Sequence, residues 1–262
     1  MKLGIIVDPD KRGFETAVNN GLSFIEICNN VGCDTEAITD EIPSIKILCK
    51  ETGVAIGSVG RWGTEKFDKA GSVIEEELLA GYSLIDAASE LGSPVFNTGI
   101  NYIDTISKYE NINRAMDYLY KLIEYGKPKG VKIAVYNCRW SNYIVDPAMW
   151  EIFHGHIPEL GIKYDPTHCI NEGSGDYLGE MRDWGKRFYH VHIKGTINVN
   201  GKHVDDPPAG LDQINWGAFM GVLYKVGYDG NLSIEPHSST WFGKLADPGV
   251  AFTVKHMSQF IF

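Results

Sequence analysis

Three stretches decide how this chain folds: Gly161-Ile-Lys-Tyr-Asp-Pro-Thr-His168, Phe188-Tyr-His-Val-His-Ile-Lys194 and Asn231-Leu-Ser-Ile-Glu-Pro-His237. Each has the alternation and β-branched content of a buried strand, and each turns from apolar to ionisable residues where the strand should stop. Charge therefore collects at strand C-terminal ends. In a closed parallel barrel those ends share one face, so Asp165, His192 and Glu235, far apart in sequence, converge on one ion or one substrate.

Working outward, strand-like and helix-like segments alternate with a period of roughly 30 residues, the size of a βα unit. Strands are expected at Lys2 to Val7, Phe24 to Cys28, Val54 to Val59, Pro94 to Gly99, Val131 to Asn137, Gly161 to Asp165, Phe188 to Lys194 and Asn231 to Glu235. Helical periodicity fills the gaps, as in Ser72 to Leu91 and Ile112 to Tyr125. No linker or low-complexity tract divides the chain, so the expectation is α/β: a single (β/α)8 TIM-barrel domain over residues 1–262. The alternative, an open doubly wound sheet, normally carries a glycine-rich phosphate loop after its first strand. Here that loop is Asp8-Pro-Asp-Lys-Arg-Gly13, with one glycine.

At 262 residues and 44% hydrophobic content the chain can bury a sizeable core. A net charge of −10 without a Lys/Arg run longer than two opposes nucleic acid as a partner. The five cysteines, Cys28, Cys33, Cys49, Cys138 and Cys169, lack Cys-x-x-Cys spacing and read as reduced thiols. No apolar run approaches the roughly 20 residues of a membrane span, and the first strand begins at once. The expectation is a cytoplasmic protein with no membrane partner. Pro207-Pro208 and Trp241-Phe242 look like rim or interface elements, compatible with a homo-oligomer.

In Asp165-Pro-Thr-His168, Pro166 withholds a ladder donor and turns the chain at the barrel mouth, bringing an acid near an imidazole. The plainer reading makes Asp165 a helix cap and His168 a solvated loop residue. His190, His192 and Lys194 share one parity, and if Val191 and Ile193 face the helices all three point inward, which is costly unless they are ligated or paired. Ser233, Glu235 and His237 repeat the pattern on the last strand. Weaker candidates for contacting substrate are Glu26 at the end of strand two, Asn97 at the end of strand four, Arg61 and Trp62 on a loop after strand three, and Asn137 and Arg139 after strand five; His237 joins them. For each, a turn, cap or packing role competes.

Four motifs carry a resemblance: Tyr164-Asp-Pro-Thr-His168, His190-Val-His-Ile-Lys194, Pro208-Ala-Gly-Leu-Asp-Gln-Ile-Asn-Trp216 and Gly227-Tyr-Asp-Gly-Asn-Leu-Ser-Ile-Glu-Pro-His237. The chain resembles the sugar phosphate isomerase/epimerase family of xylose isomerase-like barrels, most closely from about Val131 to Trp241. The resemblance implies Asp165, His192 and Glu235 as ligands of a divalent metal ion (Mn, Mg, Co or Zn), with His168 and Lys194 near a small sugar-like substrate. It implies proton abstraction next to a carbonyl, with Glu235 or His168 taking the proton, in a metal-dependent isomerase or epimerase. A hydro-lyase acting by β-elimination on a keto-sugar, or a non-catalytic sugar-binding barrel, are the alternatives. A repair endonuclease, also found in this superfamily, is opposed by the acidic charge. One departure stands out: the family ends strand five in Glu-Asn-His, and here the stretch reads Val135-Tyr-Asn-Cys138. Tyr136 replaces a ligand, and the expectation is that it points inward beside the metal, its hydroxyl reaching a ligand carboxylate or the substrate.

Overall fold

A computed structural model describes residues 1–262. The strands are β1 (Lys2–Ile6), β2 (Phe24–Asn30), β3 (Ala55–Trp62), β4 (Val95–Thr98), β5 (Lys132–Tyr136), β6 (Gly161–Tyr164), β7 (Phe188–Ile193), β8 (Ile197–Val199), β9 (Lys202–Asp205) and β10 (Asn231–Ile234). Eight of them form a closed parallel barrel in the order β1-β10-β7-β6-β5-β4-β3-β2. Closure comes from β1, which pairs with β2 on one side and β10 on the other. Strands β8 and β9 form a separate antiparallel hairpin in the connection that follows β7.

Parallel strands require crossovers, and helices supply them: α1 (Lys11–Asn19), α2 (Thr35–Thr52), α3 (Glu75–Glu90), α4 (Lys108–Gly126), α5 (Pro147–His156), α6 (Pro166–Glu172), α7 (Tyr177–Trp184), α8 (Trp216–Val226) and α9 (Ala246–Ser258). Their ends are written locally. Ser107 and Glu110 close a reciprocal capping box on α4, and Asp10, Asp34 and Asp146 cap α1, α2 and α5, each cap contributing about 1 kcal/mol. Gly53 and Gly227 end α2 and α8 in the left-handed conformation, where a side chain would be strained. No helix is long and apolar enough to cross a membrane.

All eight expected strands are present, and the largest difference in extent is informative. Strand β3 continues through Trp62 because Arg61 and Trp62 pair with Asn29 and Asn30 of β2. These two residues therefore belong to the sheet, and the loop begins after them. One parity of each strand faces the helices: Ile133, Val135, Ile162, Tyr164, Val191, Ile193, Leu232 and Ile234 belong to an apolar cluster of 50 buried residues. Truncating one of these side chains to Ala should cost about 2–5 kcal/mol. The other parity faces the barrel axis and is polar: Glu26, Ser58, Asn97, Lys163, His190, His192 and Ser233 are all buried. Such an interior stands only if its charges find partners.

Candidate active site at the barrel mouth

Strands β6, β7 and β10 each hand over to an ionisable residue as they end: Asp165, Lys194 and Glu235 directly follow Tyr164, Ile193 and Ile234. Asp165 does two jobs. Its Oδ1 caps α6, accepting from the Thr167 amide at 2.8 Å and the Thr167 hydroxyl at 2.7 Å. Its Oδ2 faces the mouth, 3.0 Å from Lys194 Nζ and 3.5 Å from His168 Nε2, yet accepts no well-directed hydrogen bond. Asn137 clamps the same residue from β5, donating to its carbonyl and accepting from its amide. Asn137, expected against substrate, is thus taken up in fixing Asp165.

His192 is the hinge between two clusters. Its Nδ1 lies 2.7 Å from Glu235 Oε2, while its Nε2 lies 3.0 Å from Glu26 Oε2. Glu26 Oε2 also meets His190 Nε2 at 2.8 Å. Ligand atoms of Asp165, His192 and Glu235 all lie within 4.8 Å of one another, as do those of Glu26, His190 and His192. The first set opens on the mouth; the second is sealed beneath it, with Glu26 and His190 fully buried. Glu26 was expected at the substrate, but the structure holds it against two imidazoles.

The electrostatics follow from this packing. Burial works to raise the Glu26 carboxyl, but His190 and His192 outweigh it and hold it well below the usual carboxylate range. Burial likewise opposes charge on Glu235, but Lys194 and His192 keep it ionised. Lys194 is desolvated, and Asp165 and Glu235 nevertheless raise it above an ordinary lysine. For His168 burial prevails over the attraction of Asp165 and pushes the imidazole down to about 4, so it is neutral near pH 7.

A cavity of about 410 Å³ opens above these groups. Among the residues lining it are His168, His192, Lys194, Glu235, Trp62 and His237. Two indole rings, Trp62 and Trp140, give it an apolar wall suited to a sugar face. His237 sits at the exposed edge, its Nδ1 3.1 Å from Asp206.

Four expectations need correction. Tyr136 faces inward, but its hydroxyl bonds neither Asp165 nor Glu235: it donates to the Trp140 carbonyl at 3.0 Å, and its ring stacks on Trp62 with centroids 5.8 Å apart. The phenol ring extends well beyond the position where a glutamate carboxylate would end, so it meets the neighbouring loop. Arg61 is turned away from the cavity lining and engaged within the protein; its guanidinium pairs with Glu77 at 2.7 Å and bonds Asn29 and the Cys33 carbonyl. Asn97 is fully buried inside the barrel, both side-chain polar atoms without a partner, instead of lying at the mouth. Arg139 is half-exposed, 3.6 Å from Glu172 and 3.9 Å from Asp146, and does not line the cavity.

Lys163 was missed. It lines the cavity and is 2% exposed, and its parity two residues before Asp165 was the available signal. Glu77 and Lys66, partners in the Arg61 network, were missed as well, with no signal short of the fold.

A family model described as xylose isomerase-like TIM barrel matches residues 14–256. YfiH of Bacillus subtilis, a protein described as uncharacterised, is 27% identical over 190 residues, 64% of this chain and 57% of that protein, so the chain spans a little over half the length of this curated relative. Among solved structures, D-psicose 3-epimerase with D-tagatose from Clostridium cellulolyticum H10 superposes with a TM-score of 0.81 at 17% identity, covering 100% of this chain and 99% of that one. The 3-keto-D-glucoside 4-epimerase YcjR from E. coli gives 0.75 at 16% identity, covering 98% and 99%. At such identities the likeness is one of fold. The family match runs from α1 into α9, and with it the chain belongs to the xylose isomerase-like TIM barrel family.

Proposed function

We propose that this protein is a divalent-metal-dependent isomerase or epimerase of a sugar or an oxidised sugar derivative, acting by proton abstraction next to a carbonyl. One observation carries the reading: Asp165, His192 and Glu235 bring their donor atoms together, with His192 and Glu235 lining the mouth cavity and Asp165 buried beside them. The donor set fits a divalent ion. Two carboxylates and one imidazole suit Mn, Mg, Co or Zn, and Asp165 Oδ2 has a free lone pair in a fully buried position. A metal bound there would polarise the substrate carbonyl and stabilise the enediolate, lowering the barrier by several kcal/mol.

The chain's own residues do the rest. Glu26 lies 3.0 Å from His192 Nε2 and would hold that N–H if a metal took Nδ1, which here meets Glu235 Oε2 at 2.7 Å; this is the carboxylate–histidine arrangement that orients metal ligands. His190 steadies Glu26 by meeting the same Oε2 at 2.8 Å. Glu235 and the neutral His168 both line the cavity and are the two candidate proton acceptors. Lys194 holds Asp165 and Glu235 together and keeps both ionised. Likeness in fold to sugar epimerases supports the substrate class.

With the Tyr136 hydroxyl bound to Trp140, Glu235 is the one carboxylate among the cavity's lining residues. That favours a one-base keto–aldo isomerisation, or β-elimination, over a symmetrical exchange between two carboxylates. The test is solvent exchange: protein loaded with Mn²⁺ is incubated in D₂O with D-psicose, D-tagatose, D-fructose and hexuronates, and deuterium at the carbon next to the carbonyl is read by NMR. Exchange that vanishes on chelation and returns with Mn²⁺ is expected. No exchange with any of them, in protein that retains no metal, would overturn the proposal.

A further inference from the structure

Lys163 is a cation without a counter-charge. It sits in the middle of β6, paired in register with Tyr136 on one side and His190 on the other, 2% exposed and lining the mouth cavity. The two other deeply buried lysines each have a carboxylate at hand: Lys66 meets Glu77 at 3.1 Å, and Lys194 meets Asp165 at 3.0 Å. Lys163 has no such ion pair. The acids around it are already engaged, Asp165 and Glu235 with Lys194, and Glu26 with His190 and His192. Its field nevertheless reaches the whole floor, adding to the stabilisation of ionised Asp165 and Glu235 and opposing charge on His192 and His168. A lysine withdrawn this far from bulk solvent without an ion pair, and lining a cavity, is costly to keep. A position on a barrel strand that costs stability and faces a cavity is what a ligand-binding residue looks like.

We propose that Lys163 binds an anionic group on the substrate, and that the substrate is therefore a sugar acid or keto acid carrying a carboxylate, not a neutral sugar. This rests on the sugar reading above and narrows it. One unpaired positive charge matches a monoanion. A phosphate dianion asks for more donors, and the cavity lining contains no arginine. The Trp62 and Trp140 rings remain available to the rest of the ligand.

The experiment is calorimetric titration at low ionic strength of the full-length protein and of Lys163→Met and Lys163→Gln, with Mn²⁺ present throughout. The probes are D-glucose, D-glucuronate and D-glucose 6-phosphate, the same three forms of D-galactose, and pyruvate, which keeps the carboxylate and drops the polyol. We expect the hexuronates to bind roughly tenfold or more tighter than the matched hexoses, as a charge-assisted hydrogen bond implies. That ratio should fall to near one in both variants, and added NaCl should erode it in the parent protein. Equal binding of hexose and hexuronate by the parent would overturn the inference while leaving the sugar reading intact. Preference for the 6-phosphates alone would overturn the carboxylate assignment. If no sugar binds, the sugar reading fails, and Lys163 is judged on pyruvate: binding lost in both variants upholds it, and binding that is absent or unaffected refutes it. Thermal stability gives a separate check. A structural lysine would lower Tm when replaced by Met, whereas Lys163→Met should leave Tm unchanged or raise it.

Discussion

Two buried ionic networks lie on opposite sides of this barrel, and they differ in completeness. Beside β3, Glu77 receives Arg61 at 2.7 Å and Lys66 at 3.1 Å, and Arg61 spends its remaining donors on Asn29 and the carbonyls of Asn30 and Cys33. Each cation there has a carboxylate within ion-pair distance, the two sharing Glu77. Across the mouth, Lys163 has no ion pair, Asp165 Oδ2 lacks a directed hydrogen bond, and one histidine is shared between two carboxylates. A fold that can complete one network can complete both, so the incomplete one marks where a ligand supplies what the chain leaves out. Buried charge by itself does not indicate function; buried charge with unfilled valences does.

The comparison is broken most decisively by activity. Glu235→Gln should lower turnover by roughly 10²–10⁴-fold, the usual reach of a general base, with Tm nearly unchanged. A large fall in Tm with activity retained would place Glu235 in a structural network like that of Glu77. The reciprocal change comes next: Glu77→Gln leaves Arg61 and Lys66 buried and unanswered and should cost about 3 kcal/mol in urea unfolding. A cost within 0.5 kcal/mol of zero, which is typical of exposed pairs, would show that this network is not closed after all.

The pH dependence of that cost sharpens the point. Burial acts to raise the Glu77 carboxyl, but Arg61 and Lys66 outweigh it and hold it at about 2, against an ordinary 4.5. The folded state therefore keeps its carboxylate after the unfolded state has taken up a proton. The stabilisation is whole above pH 4.5 and drains away as the pH falls toward 2, so the gap between the parent and Glu77→Gln should narrow over that acidic window. A gap that widened on acidification would reverse the assignment. The smallest effect is expected at Tyr136→Phe. It removes the bond to the Trp140 carbonyl, about 1 kcal/mol, and should leave turnover within about threefold, because the hydroxyl faces a loop. A hundredfold loss of turnover would return Tyr136 to the chemistry.

The architecture was legible because barrel strands announce themselves twice, by apolar alternation and by ionisable residues where they stop. Parity then brought Asp165, His192 and Glu235 to one place, since side chains two apart on a strand must share a face. What could not be read was reach. Arg61 looked like a loop residue free to meet a ligand, and its partner Glu77 stands in a Glu75-Glu76-Glu77 run that any sequence reading assigns to solvent. Tyr136 had the right parity, but its ring carries the polar atom several ångströms past the strand, onto a carbonyl that only the folded loop provides. Lys163 shares its parity with Asp165 and was within reach of the same rule that picked out His190, His192 and Lys194.

The tyrosine on β5 also constrains the residues around it. A Cβ at Gly99 would stand only 2.3 Å from the Tyr136 hydroxyl oxygen, and one at Gly63 only 2.2 Å from the indole of Trp140, whose carbonyl that hydroxyl holds. Gly99 is thus tied directly to the phenol, and Gly63 to the Trp140 loop that the phenol holds. A glutamate at position 136 would vacate the space the ring fills and release the Trp140 loop before any ligand was gained. A carboxylate placed at 136 would therefore act at the barrel mouth only after the Trp140 loop had found other support, which makes Tyr136 a keystone of the loop as much as a residue of the strand.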